Sequence, residues 1–460
     1  INAALNTKDE NDSPEEHFTD TIKAACGLAD PNAVWGMTQA APELVHWLLK
    51  LGVKFNMSGY DDVDLRNFGG QKKKRTAFAQ SDTGKQIMTA MIDAVRRKEA
   101  SGMVERFSHH SFLTLRLCGN ICCGCVIRDE YSQETVELPG DAVIVATGGM
   151  HGLFGNTTGS LSNTGEVTAE LFRLGVPLAN GEMIQYHPTT VKCGGKRMLI
   201  SEAARGEGGR LFAMKDGKQW YFMEEKYPEL GNLMPRDITA REIWKVSHES
   251  EVFLDMTEIS EEIISNKLSG LADDCMTYLH KDIRKEPVSV LPGIHYFMGG
   301  ILVDEQHRTP IQNLYAAGEC CAQYHGANRL GGNSLLGALY GGRVAAKSAC
   351  EQADVVDLSC ATQIDFPPAS QISEIKQLNK VMQETMGVVR NENTLLNGIQ
   401  TVQALTGNLP LLGMAVLKSA LARKESRGAH WRDDDYLKTT VARFDGKQIQ
   451  ISFVPVPERR

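Results

Sequence analysis

Residues 325–343 read HGANRLGGNSLLGALYGGR, and this stretch sets Arg329 among small residues ahead of an apolar run. The glycines at 326, 331 and 332 let a ligand approach the backbone closely, because no Cβ stands in the way. Asn333 and Ser334 are residue types that often cap helices, so the pattern predicts a helix from Leu335 to Ala346. The unbonded N–H groups at such a helix start favour an anionic group. The stretch predicts a ligand cradle around Arg329, with a Gly-rich surface loop as the alternative.

Two apolar runs have the character of buried strands. Residues 313–318 (NLYAAG) come just before Glu319, and residues 141–146 (DAVIVA) lead into Thr147, Gly148 and Gly149. A continuous apolar run is typical of a parallel strand that is covered on both faces. Because open α/β sheets bind cofactors where a buried strand enters a Gly-rich turn, the pattern indicates an α/β fold with a cofactor at the strand ends.

Length and composition narrow the class of protein. A chain of 460 residues exceeds one ordinary hydrophobic core, so two or three domains are expected. The net charge of −8 argues against a general nucleic-acid binder. No apolar segment approaches the roughly 20 residues that a membrane span needs, and no signal peptide is recognisable. These features predict a cytoplasmic protein that reaches a membrane only through partners.

The eleven cysteines raise the question of a metal site or disulfides. Cys118, Cys122, Cys123 and Cys125 have a spacing that superficially resembles that of iron–sulfur ligands. The alternating pattern, however, predicts a hairpin of strands 114–118 and 121–128, in which alternate side chains point to opposite faces. We therefore predict no metal site. The odd count and scattered positions argue against a disulfide framework and for a reducing compartment.

The remaining periodicity predicts the order of helices and strands. Helices are expected over 14–28, 31–51, 83–100 and 163–174, and again over 370–386, 392–405 and 410–424. Between them, short strands (210–213, 219–222, 251–254) alternate with helices (235–247, 258–266, 272–282), which is typical of an inserted α+β domain. The insertion divides the chain into a discontinuous first domain (1–180 and 295–360), a capping domain (181–294), a helical domain (361–430) and a C-terminal segment (431–460), in which 448–454 is β-like.

Several residues that can carry chemistry lie beside glycine turns or at the domain edges. Each has an ordinary explanation on its own; Arg236 and Asp237, for example, could form an ion pair at a helix start. Several cationic donors converging on one pocket are what a small dianionic acid requires. No zinc-type spacing, nucleophile elbow or Walker loop is present, so hydrolase and phosphotransferase functions are less favoured. The candidates are His187, Ser201, Glu202, Arg205, Arg236, His295 and Arg329.

Ordered motifs along nearly the whole chain give a specific resemblance. They are INAALN, FGGQ followed by RT and DTG, VIVATGG, QYHPTT, SEAARGEGG, PRDITAR, HYFMGGI, LYAAGE, HGANRLGGNSLL and RKESRGAH. The chain resembles the flavoprotein subunit of fumarate reductases and succinate dehydrogenases, a family that also includes L-aspartate oxidase. The resemblance implies a doubly wound FAD-binding domain, a capping domain and a C-terminal helical domain. The family's first βαβ unit, with its G-x-G-x-x-G phosphate loop, is expected to be missing here.

The resemblance also implies which residues hold FAD. Glu319 is expected to bind the ribose, and Ser334 and Leu335 to lie against the isoalloxazine edge. Glu166 replaces the family's aspartate on the adenosine side, one methylene longer. The other cofactor-binding residues implied are Ala3, Ala4, Thr147, Gly148 and Gly149.

For the substrate, the resemblance implies a clamp on a small dicarboxylate, fumarate or succinate. His295 and Arg329 are expected to grip one carboxylate, and His187 and Ser201 the other. Arg236 would protonate a substrate carbon and be resupplied through Arg205 and Glu202. Because arginine side chains ordinarily lose a proton only above a pKa of about 12, this role requires clustered positive charge and a carboxylate relay.

The family's partners are an iron–sulfur subunit and, through it, a membrane anchor, which are the expected partners of this chain. Two other functions stay open from the sequence. One is L-aspartate oxidase on the same scaffold. The other is a non-catalytic apo-protein that lacks FAD.

Overall fold

The computed structural model describes residues 1–8, 11–355, 364, 366, 371–432 and 438–455. Its helices are α1 Pro14–Ala24, α2 Pro31–Lys50, α3 Thr83–Ala100, α4 Glu166–Arg173, α5 Glu202–Gly206, α6 Phe222–Lys226, α7 Arg236–Val246, α8 Glu261–Lys267, α9 Ser269–Asp274, α10 Asn333–Gln352, α11 Ile372–Thr385, α12 Glu392–Val402 and α13 Asn408–Ala422. Its strands are β1 Leu65–Arg66, β2 Thr76–Ala77, β3 His110–Cys118, β4 Ile121–Asp129, β5 Thr135–Pro139, β6 Val143–Val145, β7 Leu178–Ala179, β8 Ile184–Cys193, β9 Lys196–Leu199, β10 Arg210–Lys215, β11 Lys218–Trp220, β12 Val252–Asp255, β13 Val288–Ser289, β14 Leu291–Phe297, β15 Gly300–Leu302, β16 Leu314–Ala316, β17 Cys321–Ala322, β18 Lys438–Phe444 and β19 Ile449–Pro455.

The N-terminal helices begin where the sequence places capping residues. The Ser13 hydroxyl accepts a hydrogen bond from the Glu16 N–H (3.1 Å), and Asp30 caps α2 through the Asn32 and Ala33 N–H groups. The predictions for α2 and α3 are confirmed to within one residue, whereas α1 ends at Ala24, four residues earlier than predicted. Beyond that point the chain turns through left-handed backbone at Cys26, which ends the helix.

The N-terminus of α10 differs from the prediction that Asn333 or Ser334 caps it. Gly332 is the N-cap, with a left-handed φ of 85° that favours glycine, and Asn333 is already the first helical residue. Asn333 does not cap because its carboxamide is engaged elsewhere: its oxygen accepts from Asn2 (2.7 Å) and contacts His17 (2.9 Å). The helix therefore starts two residues earlier than predicted.

The two apolar runs near the predicted cofactor edge pair as parallel strands. β6 and β16 align Val143 with Leu314 and Val145 with Ala316, so the parallel pairing is confirmed. The prediction that the first run is covered on both faces is wrong, because Ile144 is 40% exposed. Within the described residues this sheet has two strands, so nothing there covers that side chain.

The segment 181–294 has the predicted mixture of strands and helices. An antiparallel sheet in the order β11-β10-β12-β13 packs with α7 and α8 around a core that includes Leu211, Leu254 and Ile243. The sequence missed β8 and β9, which form a second sheet with β14. Pro188 lies within β8, and a proline inside an apolar run argues against a strand in sequence reading.

The C-terminal helices are confirmed, with α11 and α12 shorter than predicted by up to three residues at an end and α13 shifted two residues toward the N-terminus. They share the largest hydrophobic core with α4 and with the sheet β17-β15-β7-β18-β19; Leu153, Phe172, Leu412 and Leu417 are fully buried there. The sequence indicated β19 but missed β18, which pairs with β7 and extends the sheet by a hairpin. The proposed domain boundaries stay a prediction, and the one at 360/361 lies outside the described residues.

The cysteine-rich hairpin is confirmed, with Cys118 paired to Ile121 and Leu117 to Cys122. Among the described residues, no group of three His, Cys, Asp or Glu side chains gathers as a metal site would require. Nine described cysteines carry free thiols, but Cys118 is disulfide-bonded, so the expectation of reduced cysteines throughout does not hold there. No helix in the described part of the chain combines the length and apolar character that crossing a bilayer requires.

Six histidines, five of them buried and His295 partly buried, predict that the fold is sensitive to acid. Burial lowers the pKa of each below its ordinary value, that of His17 to about 3. Because the unfolded chain takes up protons below a pH of about 6.5 and these folded imidazoles do not, the free energy of unfolding falls as the pH drops from about 6.5 toward 3. The slope is up to about 1.4 kcal/mol per pH unit for each histidine. The six are His17, His187, His295, His307, His325 and His430.

Urea unfolding followed by circular dichroism at decreasing pH tests this expectation. The urea midpoint should decrease steadily once the solution is more acidic than the ordinary histidine pKa. A midpoint that stays constant from neutral pH to about pH 5 would show that these histidines are not held neutral in the folded protein.

Candidate active site

A cavity of about 170 Å³ lies where the 181–294 segment meets the start of α10. All four residues predicted to bind substrate line it, together with Arg236 and Glu202. They come from separate elements: β8, β14, the starts of α5 and α7, and the loop before α10. The full lining is Ile1, Arg66, Phe68, Thr76, Ala77, Thr83, His187, Leu199, Ser201, Glu202, Arg236, His295, Arg329, Gly332, Ser334 and Leu335.

The two histidines meet across neighbouring antiparallel strands. His187 lies on β8 opposite Gly293, and the register then shifts between Ile294 and Tyr296, so His295 is the extra residue of a β-bulge. A bulge redirects the side chain of its extra residue. The imidazole rings of His187 and His295 consequently lie 5.2 Å apart, centroid to centroid, in an edge-to-face arrangement.

Hydrogen bonds hold both rings in place. His187 Nδ1 lies 3.0 Å from the Thr189 carbonyl oxygen and 3.3 Å from the Thr189 backbone nitrogen, and these contacts orient the ring. His295 Nδ1 is 2.7 Å from the Thr158 hydroxyl. Burial, and then the charge of Arg236, lower the pKa of His187 far below its ordinary value; burial and His187 do the same for the pKa of His295. Both imidazoles are therefore neutral in the unliganded protein.

Glu202 is the carboxylate around which the guanidinium groups gather. Its Oε2 accepts from Arg236 Nε (2.9 Å) and Nη2 (2.6 Å), and its Oε1 accepts from the Gly69 N–H (2.9 Å). Arg205 Nη2 lies 3.5 Å from Oε1. Burial opposes ionisation, but Arg236 and Arg205 hold the pKa of Glu202 below its ordinary value. Arg205 does not line the cavity and lies behind Glu202.

Gln185 joins the two arginines that face the cavity, and sequence reasoning missed it. Its Oε1 accepts from Arg236 Nη1 (3.1 Å), and its Nε2 donates to the Arg329 carbonyl oxygen (2.8 Å). The spacing in the sequence could have identified Gln185 as a site residue. Gln185 precedes His187 by two residues, and residues two apart on a strand face the same side.

Arg329 enters the cavity without a carboxylate partner. Its guanidinium carbon lies 4.3 Å from the centre of the Tyr296 ring, and its Nε has no hydrogen-bond partner among the described residues. Burial and the charge of Arg236 lower its pKa to about 9. A bound anion would supply the missing partner.

Arg66 is a further cation of the cavity that sequence reasoning missed. Its guanidinium packs over Phe78 (4.3 Å) and Phe68 (5.3 Å), and within the described residues it forms no ion pair. Burial lowers its pKa to about 10. The surrounding sequence, DVDLRNF, does not indicate that Arg66 belongs to a site, because only the fold brings β1 next to α10. The cavity thus has Arg66, Arg236 and Arg329 against the single carboxylate Glu202, a surplus that suits a dianion.

The residues predicted to bind the cofactor fall into two places. Ser334 and Leu335 line the same cavity as the substrate residues. Gly149 and Glu319 meet beside β6 and β16, where a Cβ at Gly149 would lie 2.8 Å from Glu319 Oε1. That oxygen accepts from the Phe297 N–H (3.0 Å).

The other residues assigned to the cofactor differ in exposure. Thr147 is exposed at the end of β6, Gly148 is half-buried there, and Glu166 is exposed in the first turn of α4. Ala3 and Ala4 are buried, with the Ala3 N–H donating to the Arg75 carbonyl oxygen (2.8 Å). A glycine turn with a nearby carboxylate, together with a helix start in a cationic cavity, fits a long cofactor with a ribose and an electron-poor ring.

Comparison with known proteins agrees with this chemistry. A family model described as FAD binding domain matches residues 1–335, and one described as fumarate reductase flavoprotein C-term matches residues 406–459. The succinate dehydrogenase flavoprotein subunit of Bacillus subtilis is 36% identical over all of this chain and 90% of its own length. An L-aspartate oxidase of Nostoc is 31% identical over 92% of this chain and 82% of its own length.

The fold matches solved structures as well. A quinol fumarate reductase flavoprotein from Escherichia coli aligns with a TM-score of 0.88 and 26% identity, over 99% of this chain and 88% of that one. The chain therefore belongs to the succinate dehydrogenase and fumarate reductase family of FAD-dependent flavoprotein oxidoreductases.

Proposed function

We propose that this protein interconverts fumarate and succinate, most directly as the flavoprotein subunit of a fumarate reductase. One observation carries the proposal. His187, Arg236, His295 and Arg329 face a single small cavity that also contains the N-terminal turn of α10, against which the resemblance places the flavin.

The clamp on the substrate follows from the donors available. His295 and Arg329 bind one carboxylate, and His187 and Ser201 bind the other. Ser201 caps α5 by accepting a hydrogen bond from the Ala203 N–H (3.2 Å), so its own hydroxyl hydrogen remains for the substrate. With cations at both ends, fumarate is held in a fixed orientation and its double bond is polarised, which is the main source of acceleration in this mechanism.

When bound, the reduced flavin would supply the hydride for one substrate carbon, and the oxidised flavin would accept a hydride in the reverse direction. Arg236 donates the proton to the other carbon. Its Nε and one Nη2 hydrogen donate to Glu202 and one Nη1 hydrogen donates to Gln185, so one hydrogen on each of Nη1 and Nη2 remains for the substrate. Glu202, which is ionised at rest, then passes a proton taken from Arg205 to the deprotonated Arg236, and solvent returns a proton to Arg205.

The FAD-binding domain is proposed to be doubly wound and discontinuous, with the 181–294 segment as its cap and a helical domain after it. Glu319 would hold the ribose and Glu166 would lie toward the adenosine. Gly149 leaves room beside Glu319, since any Cβ there would displace the carboxylate. The remaining contacts are proposed for Ala3, Ala4, Thr147 and Gly148. An iron–sulfur subunit is the proposed electron partner, and through it the chain would lie at a membrane surface.

L-Aspartate oxidase is the second candidate, since relatives with that name are about as similar as most fumarate reductases. Aspartate carries an ammonium group that needs an acceptor. Glu202 is the one carboxylate that lines the cavity in the described part of the chain, and Arg236 and the Gly69 N–H already engage it. The charge balance favours a substrate with two carboxylates and no cation.

Two assays on the purified protein separate the candidates. Fumarate-dependent oxidation of a reduced dye supports the proposal, and aspartate-dependent peroxide formation without fumarate turnover would replace it by the oxidase. A visible spectrum before and after denaturation reports whether flavin is bound and attached; a colourless protein inactive in both assays would favour a non-catalytic role.

Dicarboxylate binding should become tighter as the pH falls. His187 and His295 are neutral in the empty cavity, and an adjacent dianion raises the pKa of both, so binding takes up protons. The dissociation constant of malonate, an unreactive dicarboxylate, should decrease by up to about tenfold per pH unit for each proton taken up.

Calorimetry in buffers with different ionisation enthalpies measures that proton uptake directly. A binding heat that does not depend on the buffer, together with an affinity that does not change with pH, would show that neither imidazole contacts the dianion.

A further inference from the structure

The segment 423–430 (RKESRGAH), which follows α13, contains several buried residues, although it lines none of the cavity described above. Arg423, Glu425 and His430 are essentially inaccessible to solvent. Glu425 accepts hydrogen bonds from Arg423 and from Arg427 Nε (2.8 Å). Burying this much charge is costly unless the groups satisfy one another, so the arrangement indicates a specific role in holding structure.

One end of the segment is anchored at Glu182, just before β8. Arg423 Nε donates to Glu182 Oε1 (2.7 Å), and the Thr440 hydroxyl donates to the same carboxylate (2.8 Å). Arg390 Nη1 donates to the Glu182 carbonyl oxygen and to His430 Nδ1, both at 2.6 Å. Burial and the charge of Arg390 keep the pKa of His430 low, so its Nδ1 remains an acceptor.

The other end contacts the loop that carries Arg329. The Ala429 N–H donates to the Ala327 carbonyl oxygen (2.9 Å). Gly428 passes so close that a Cβ there would lie 2.5 Å from the same oxygen. On its opposite side, the Ala327 N–H donates to the Ala25 carbonyl oxygen (3.0 Å). Ala327 is thus held between two segments that are distant in sequence.

The guanidinium of Arg329 has few restraints of its own. It packs on Tyr296, and its Nε has no partner among the described residues, so its position depends on the backbone that carries it. That backbone is fixed by Gln185, which binds the Arg329 carbonyl oxygen, and by the 428–429 contact with Ala327.

We propose that the 423–430 segment, anchored on Glu182, is a positioning element for Arg329 and thereby sets the affinity for dicarboxylates. The inference rests on the proposed function, in which Arg329 grips a substrate carboxylate. Because the segment reaches neither Arg236 nor Glu202, it acts on substrate binding more than on proton transfer.

The test is Gly428→Ala, in which the added methyl group pushes the Ala327 carbonyl and moves the loop. Hydrogen bonds from a guanidinium to a carboxylate are of the strong, charge-assisted kind, so their misalignment should raise the KM for fumarate and the Kd for malonate between about tenfold and a hundredfold. The kcat should change far less, and the bound flavin should be unchanged. Gly119→Ala is the matched control, because Gly119 has a similar φ of 61° and no atom within 4 Å of the added Cβ.

Thr440→Val is a second variant, which keeps nearly the same side-chain shape but removes the hydroxyl that donates to Glu182. Its Kd for malonate should rise by about threefold, because the anchor of the segment loses one hydrogen bond. If both variants bind malonate as tightly as the parent protein, the positioning role is overturned while the proposed function stands. If the parent protein binds no malonate, the proposed function fails, and this role fails with it.

Discussion

Replacing Arg236 by alanine is expected to reduce fumarate reduction by about 10²- to 10⁴-fold, the range that loss of a positioned general acid produces. The guanidinium makes three hydrogen bonds, two to Glu202 and one to Gln185, and no other described residue places an N–H at the same point of the cavity. Flavin content should not change, because Arg236 contacts none of the residues assigned to FAD. Steady-state rates with a reduced dye, corrected for flavin content, give the result.

Arg241→Ala provides the control for this variant. Arg241 lies on the same helix, but its guanidinium packs over Trp431 (3.8 Å) at some distance from the cavity lining. Its loss should leave turnover nearly unchanged. An Arg236→Ala protein that keeps more than about a tenth of the parent rate would remove Arg236 from the role of proton donor.

Glu202→Gln is expected to impair both catalysis and stability. The carboxylate balances Arg236 and Arg205, and all three side chains are buried. Removing one partner of a buried ion pair typically costs about 3–5 kcal/mol, because the remaining charge is left uncompensated. The proton relay is lost as well, so turnover should fall at least about a hundredfold. Urea unfolding and dye-linked turnover measure the two effects separately.

Glu207→Gln is the matched control, since Glu207 ends the same short helix and pairs with Lys267 (3.0 Å) nearer the surface. Partly exposed pairs contribute about 1 kcal/mol or less. If Glu202→Gln matched Glu207→Gln in stability and turnover, Glu202 would be neither the charge balance nor the relay of this site.

The sequence predicted which residues form the site better than it predicted how the fold positions them. Apolar periodicity located α2 and α3, with Asp30 capping α2, and the combination of histidines and arginines indicated a dianion. The position of His295, in contrast, depends on a β-bulge that arises from the pairing of β14 with β8. Arg66 joins the cavity only because β1 lies near α10, which is a long-range contact that no local pattern reports.

Local rules also failed where tertiary contacts outweighed them. Asn333 has the right chemistry for an N-cap, but its bonds to Asn2 and His17 leave that place to Gly332. β8 was missed because Pro188 interrupts it, although its neighbours Gln185 and His187 supply two of the central groups of the site. Functional residues are the ones whose local sequence signals are most readily overridden by the surrounding fold.

The central claim is that the cationic cavity presents one dicarboxylate to a bound flavin. Anaerobic single-turnover spectroscopy tests it directly, with the flavin of the purified protein reduced first and fumarate then added in stoichiometric amount. The claim predicts that the oxidised flavin absorbance returns, that one succinate forms per flavin, and that malonate blocks the reaction. A flavin that stays reduced with fumarate, or that is reoxidised equally fast in the presence of malonate, would contradict it.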